Sequence, residues 1–261
     1  MKITALVENT TNKDWPTEHG LSLYIETSKH KILMDCGQSG LFASNAQKLG
    51  IDLADVDICV LSHGHYDHGG GLRTFLDVNN HAPIYMSNEA FGLHYHGDSR
   101  YIGLNRDWLK DCEFTERIVY VDGDMEIDDE LKLCSPNGKE KSVDMGYGGL
   151  YEIKDGRFVP EEFNHEHYLL VNEDGKKVLF SGCSHQGILN IMEWFKPNVL
   201  VGGFHFMKKP LDDKLEQYAK TLSEYDTDYY TCHCTGCEQY QYMKPHIARM
   251  NYLAEGDEVL I

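Results

Sequence analysis

The chain has 261 residues, with 24 Lys plus Arg against 42 Asp plus Glu and a formal net charge of −18. That balance argues against nucleic-acid binding, whose affinity rests largely on neutralising phosphates with basic side chains. It leaves room for a small anionic substrate, because a metal or a few local His or Lys can reverse the field inside a cleft.

The length suits one large domain or two small ones. No Ser/Pro-rich stretch, charge block or repeat separates two halves. Residues 1–261 are therefore expected to form one domain, large enough to bury a core without covalent staples. No apolar run approaches the roughly 18–20 residues that span a bilayer, so no membrane partner is expected. Residues 1–7 are too short and too soon polar for a signal peptide and read as a first strand. The expected location is the cytoplasm, where the eight cysteines would stay thiols. Nothing in the sequence sets the oligomeric state.

Asn9 and Thr10 end the first predicted strand, and His19 lies before the next. Residues 57–61 form a short apolar run with β-branched members, a buried strand. Then comes Leu61-Ser62-His63-Gly64-His65-Tyr66-Asp67-His68-Gly69-Gly70-Gly71. Three imidazoles and a carboxylate crowded this closely are candidate ligands for Zn²⁺, with Fe or Mn as alternatives. His63 and His65, two apart in extended backbone, can serve one ion. Asp67 and His68, past a turn, can serve a neighbouring one. Two ions about 3.5–4 Å apart form a hydrolytic clamp. The three glycines are expected to turn the chain tightly, with a helix starting at residues 72–76.

Further along, His94 and His96 fall in a Gly- and Tyr-rich stretch. It reads as a loop insertion in which Tyr85, Tyr95 and Tyr101 form a lid or pocket wall, or a partner-packing surface. Residues 146–150 are glycine-rich but lack the Gly-Lys-Ser/Thr ending of a phosphate loop, and read as a turn. His165 and His167 flank Glu166 before an apolar run. Strand alternation puts them on one face, either solvated or as a ligand pair. Residues 177–180, 198–201 and 228–231 read as strands, followed by His185, His205 and His233. Cys234 and Cys237 have C-x-x-C spacing but no second pair, so an independent structural zinc is not favoured. Thr235 and Gly236, at the mouth of a following helix, are candidates to donate to a substrate anion. His205 suits substrate binding or general-acid work near neutral pH, or a structural role.

The H-x-H-x-D-H motif after a strand resembles the metallo-β-lactamase superfamily. So does the segment Ile32-Leu33-Met34-Asp35-Cys36-Gly37. Residues 6–10, 18–22, 181–188, 202–205 and 233–236 are similar to one branch of it. That branch is labelled dihydropterin-ribofuranosylaminobenzene 5'-phosphate synthase-like. The resemblance runs from residue 6 to residue 236. It implies an α/β fold, a four-layer αβ/βα sandwich with a metal site in the cleft between two sheets. It also implies that His185 completes a first site with His63 and His65, and that His233 completes a second with Asp67 and His68. His19, Asn9 and Thr10 would then lie near the substrate. The bridging Asp of many relatives stands in a Phe-Thr-Gly-Asp phrase. Here Phe180-Ser181-Gly182-Cys183 takes its place. Either Cys183 is a metal neighbour or no carboxylate bridges.

The expected activity is metal-dependent hydrolysis of a small-molecule ester, thioester, amide or phosphoester, with zinc activating water and Asp67 orienting it. Three alternatives stay open. One is a pterin-type synthase. Another is an iron redox enzyme, although His65 stands where flavodiiron relatives have Glu. The third is a non-catalytic metal-dependent sensor.

Overall fold

The structure, a computed structural model, describes residues 1–261. Two seven-stranded mixed sheets dominate it. The first runs in the order Glu258–Leu260, Lys2–Val7, Ser22–Glu26, Lys31–Met34, Ile58–Val60, Ile84–Ser87, Ile118–Val121. Its first four strands pair antiparallel and the rest parallel. The second runs Met250–Tyr252, Asp228–Thr231, Val199–Gly202, Lys176–Ser181, Tyr168–Glu173, Leu131–Cys134, Met125–Glu126. There the first four strands are parallel and the others antiparallel.

Side-chain alternation explains the layering. Successive strand residues point to opposite faces. Leu23, Ile25, Ile32 and Met34 of the first sheet meet Val178, Phe180, Val199 and Val201 of the second in one buried cluster. The residues between them point the other way. Tyr24 and Leu33 pack outward on Phe42 and Phe75, from helices Leu41–Lys48 and Leu72–Val78. Leu179 and Leu200 pack outward on Ile191 and Leu222, from helices Ile188–Phe195 and Asp213–Ser223. Strands apolar on both faces need cover on both. The result is the expected αβ/βα sandwich. No helix is long and apolar enough to cross a membrane.

The stretch expected as a loop insertion is instead built as sheet. Strands His94–His96 and Arg100–Tyr101 join Leu150–Lys154 and Arg157–Pro160 in a small antiparallel sheet. Residues 146–149 form the expected turn, with Gly146, Gly148 and Gly149 at positive φ. His165 and His167 do not share a strand face. Both precede the strand Tyr168–Glu173, and both are buried rather than solvated.

Candidate metal centre

The two sheets bring their strand ends to one cleft. His63 follows the strand Ile58–Val60, and Asp35 follows Lys31–Met34. From the other sheet, His185 follows Lys176–Ser181, His205 follows Val199–Gly202, and His233 follows Asp228–Thr231. All three late strands are found as expected. The C-terminal ends of parallel strands are where open α/β sheets place ligands. Asp35, Ser184, His205 and His233 all hold left-handed backbone, with φ of 60°, 57°, 54° and 49°. Such conformations cost roughly 1–3 kcal/mol for non-glycine residues and gather at functional sites.

The motif departs from expectation in one detail. After His65 the chain forms a short helix, Tyr66–Gly69, before Leu72–Val78. Gly70 and Gly71 have ordinary φ of −62° and −80°, so they are not there to turn the chain. They allow close approach. A Cβ on Gly70 would lie 2.4 Å from the Gln38 carbonyl oxygen, and one on Gly71 2.2 Å from that of Cys36.

His63 Nε2 lies 3.3 Å from His185 Nε2. The His65 ring stands beside both, with centroids 4.6 Å from His63 and 5.0 Å from His185. In the adjoining group, His68 Nε2 lies 3.2 Å from His233 Nε2. Asp67 Oδ2 is 3.5 Å from His233 Nε2. Cys183 Sγ is 3.2 Å from His68 Nε2 and also falls within the group of His63 and His185. The residue in the place of the bridging Asp therefore stands between the two sets. No carboxylate takes that position.

Buried partners fix the other face of most rings. His68 Nδ1 faces Asp35 Oδ2 at 2.7 Å, and His233 Nδ1 faces Asn9 Oδ1 at 2.8 Å. Asn9 Oδ1 also accepts the Gly20 amide. Carboxylate and amide oxygens only accept here, so both histidines carry their proton on Nδ1. Their Nε2 lone pairs then face each other at 3.2 Å, out of contact with water. With Cys183 Sγ 3.2 Å from one of them and Asp67 Oδ2 3.5 Å from the other, these nitrogens are spaced as ligands of one cation would be. The donor set of imidazoles, a carboxylate and a thiol fits zinc. His63, His65 and His185 would hold one ion, and Asp67, His68 and His233 another, with Cys183 in reach of both.

Burial works against a charged Asp67, but a hydrogen bond from His19, foremost among its imidazole neighbours, holds it well below the usual carboxylate range. His19 Nε2 sits 3.2 Å from Asp67 Oδ2. Behind His65 stands Glu161, whose charge burial also opposes; His65, His165 and His94 nevertheless hold it far below its ordinary range.

A cavity of about 240 Å³ opens onto this centre. His19, His96, Arg100, Ile102, His205 and Lys208 are among the residues that line it. The wall expected of Tyr85, Tyr95 and Tyr101 is thus made by other residues of the same small-sheet hairpin. Tyr101 hydrogen-bonds the Leu104 carbonyl, and Tyr85 packs at the edge of the inter-sheet core. His205 Nδ1 is buried without a partner, and its ring lies 4.4 Å from that of His185.

Four candidate substrate contacts fall elsewhere. Asn9 lies behind His233, its side chain already bonded to it. Thr235 is buried, and its hydroxyl accepts the Phe204 amide. Gly236 packs against Gln239 and Met207. Thr10 bonds back to Glu8. Cys237 is exposed while Cys234 is buried, so the C-x-x-C pair does not converge, and all eight cysteines are free. Asp35, Glu8, Glu161 and His94 were not singled out as site residues; only the Asp that ends the strand before the motif carried a signal.

Residues 15–225 match the model of the metallo-β-lactamase superfamily. The chain belongs to that superfamily. An uncharacterised protein of Methanocaldococcus jannaschii is 30% identical over 240 residues, 90% of each chain. From the same organism, 7,8-dihydropterin-6-methyl-4-(beta-D-ribofuranosyl)-aminobenzene-5'-phosphate synthase is 28% identical over 268 residues, covering 90% of this chain and 88% of the synthase. A solved metal-dependent hydrolase of the β-lactamase superfamily superposes with a TM-score of 0.83 at 29% identity, covering 100% of this chain and 99% of the hydrolase. This metallo-β-lactamase-superfamily chain therefore has both a hydrolase and a synthase among its relatives.

Proposed function

We propose that the protein is a zinc-dependent hydrolase acting on a small ester, thioester, amide or phosphoester. The observation that carries this reading is the convergence of donors in the cleft, with His68 Nε2 3.2 Å from both His233 Nε2 and Cys183 Sγ, and His63 Nε2 3.3 Å from His185 Nε2. Bound zinc supplies Lewis acidity and brings the pKa of coordinated water down toward about 7. Asp67, kept ionised beside His19, orients water. His205, whose ring borders the cavity, donates a proton to the leaving group. Arg100 and Lys208, also on that wall, favour a substrate with negative charge. At about 240 Å³ the cavity falls below the usual 300–1,000 Å³ of ligand pockets, which favours a small substrate or the reacting end of a larger one. The net charge of −18 supports a small-molecule partner over a nucleic acid.

The second reading, a pterin-type synthase, draws on the 28% identity to the dihydropterin synthase. One experiment separates them. Metal content is measured on protein purified without added metal. The metal is then restored, and turnover is followed on ester, thioester, lactone and phosphodiester substrates. Hydrolysis lost with chelation and regained with zinc supports the first reading. Iron in place of zinc, or no hydrolysis across the panel, overturns it.

A further inference from the structure

Glu161 follows the small-sheet strand Arg157–Pro160, and its side chain is fully buried. It sits among three imidazoles. Oε1 lies 2.6 Å from His94 Nδ1, 2.8 Å from His165 Nε2 and 3.2 Å from His65 Nε2. The proton on two of the rings can be placed. His165 Nδ1 accepts the Gly64 amide at 2.8 Å, so His165 carries its proton on Nε2 and donates to Glu161. An ionised carboxylate only accepts, so His65 also turns Nε2–H toward it. The nitrogen of His65 with a free lone pair is then Nδ1.

The four side chains also qualify by proximity as a metal site of their own. The distances decide against it. Ligands about 2.0–2.1 Å from a tetrahedral ion stand roughly 3.3 Å apart, as His63 Nε2 and His185 Nε2 do at 3.3 Å. The separations of 2.6 and 2.8 Å around Glu161 are shorter than that, and the 2.8 Å contact with His165 is that of a shared proton.

We propose that Glu161 is a positioning residue for the metal centre, fixing His65 as an Nδ1 ligand through a buried Nε2–H to carboxylate hydrogen bond. The inference rests on reading the adjoining cleft as a metal site. Partners of this kind orient the ring and raise its basicity, and their loss lowers metal affinity about 10–100-fold. Its side chain is fully buried among His65, His94 and His165, and Glu161 is not among the residues that line the cavity on the centre.

The test is Glu161→Gln, which keeps the shape and removes the acceptor charge. Zinc affinity is measured by competition with a chromogenic chelator, beside the far-UV CD spectrum and melting temperature of the zinc-free protein. The expected result is a folded variant whose tighter zinc site is weakened 10–100-fold. Unchanged zinc affinity overturns the proposal, even if the melting temperature moves. A second measurement needs no variant. In zinc-loaded wild-type protein, long-range ¹H–¹⁵N NMR should show His65 protonated at Nε2 with Nδ1 shifted by metal. A His65 protonated at Nδ1 overturns the assignment. So does a third zinc equivalent in the wild type that disappears in His94→Gln. If wild-type protein binds no zinc at all, the metal reading of the cleft fails and this inference falls with it; wild-type binding with an unaffected Glu161→Gln sinks this inference alone.

Discussion

Asp35 Oδ2 lies 2.7 Å from His68 Nδ1 and 2.7 Å from the Ser62 hydroxyl, while its Oδ1 takes the Ser62 amide at 2.7 Å. One carboxylate thus sets the tautomer of His68 and anchors the residue before His63. Asp35→Asn should separate these tasks. Asn tolerates the left-handed φ of 60° found here, so the fold should survive. Its Oδ1 can still accept the Ser62 amide, which turns Nδ2–H toward His68. The His68 proton then moves to Nε2, and the lone pair facing His233 is lost. Equilibrium dialysis should show zinc affinity at this site reduced about 10–100-fold. Unaltered affinity would mean the carboxylate does not choose the tautomer.

Removing the metal should soften the protein without unfolding it. The inter-sheet cluster of 20 buried residues and the two helix-facing clusters do not depend on an ion. His63→Ala and His65→Ala should each abolish activity and most bound metal while keeping a native far-UV CD spectrum. Chelating the wild type should lower its melting temperature, because an ion at 1,000 times its dissociation constant adds about 4 kcal/mol to the folded state. Unfolding of either variant would make the metal structural.

The strands and the motif could be read from the sequence because their signals are local. Asp57 to Gly71 holds a buried strand and four candidate ligands within a dozen or so residues. What closes the site is not local. Glu161 is 96 residues from His65, and it arrives through pairing of the small sheet. Asn9 reaches His233 across 224 residues. Thr235 and Gly236 do stand before a helix, Cys237–Met243, but Thr235 is taken up by the Phe204 amide and Gly236 packs on Gln239 and Met207. Alternation misled at His165 and His167, because both precede the strand whose pattern was extended to them.

Cys183 should tune the second ion more than the chemistry. Its sulfur is 3.2 Å from His68 Nε2 and belongs to both groups of close donors. Burial pushes its thiol pKa well up, which disfavours a free thiolate nucleophile. Cys183→Ser should weaken binding of the second zinc while leaving the rate at saturating zinc within a few-fold. Cys183→Asp should tighten it by restoring a hard, charged ligand. An acyl-cysteine adduct trapped during turnover would refute this and make the thiol a covalent catalyst.

Stability should fall as pH rises from about 4.5 to about 7, in part through Glu255. Burial lifts its carboxyl from 4.5 to about 7. Across that window the unfolded chain has lost this proton and the folded chain retains it, so raising the pH favours unfolding. The penalty is complete above the folded pKa. Glu255→Gln should therefore lose less stability than the wild type between pH 5 and pH 8 in urea titrations. Parallel curves for the two proteins would refute the assignment.

His205 and His233 follow neighbouring parallel strands, and both hold left-handed backbone. Their surroundings differ. His233 has Nδ1 tied to Asn9 and its backbone amide tied to Glu8, leaving Nε2 among His68 and Asp67. His205 has its backbone amide on Cys234 Sγ and its ring beside the Cys183 and Cys234 thiols, bordering the cavity with Nδ1 unpartnered. The first arrangement is that of a ligand, the second that of a group waiting for substrate. His233→Ala should lose about one metal equivalent, and excess zinc should restore part of the rate. His205→Ala should keep its metal and lose kcat by about 10²–10⁴-fold, the usual contribution of a general acid, with no rescue by zinc. A loss confined to KM would make His205 a binding residue instead. If His205→Ala loses a full equivalent while His233→Ala keeps its metal, the two roles are exchanged.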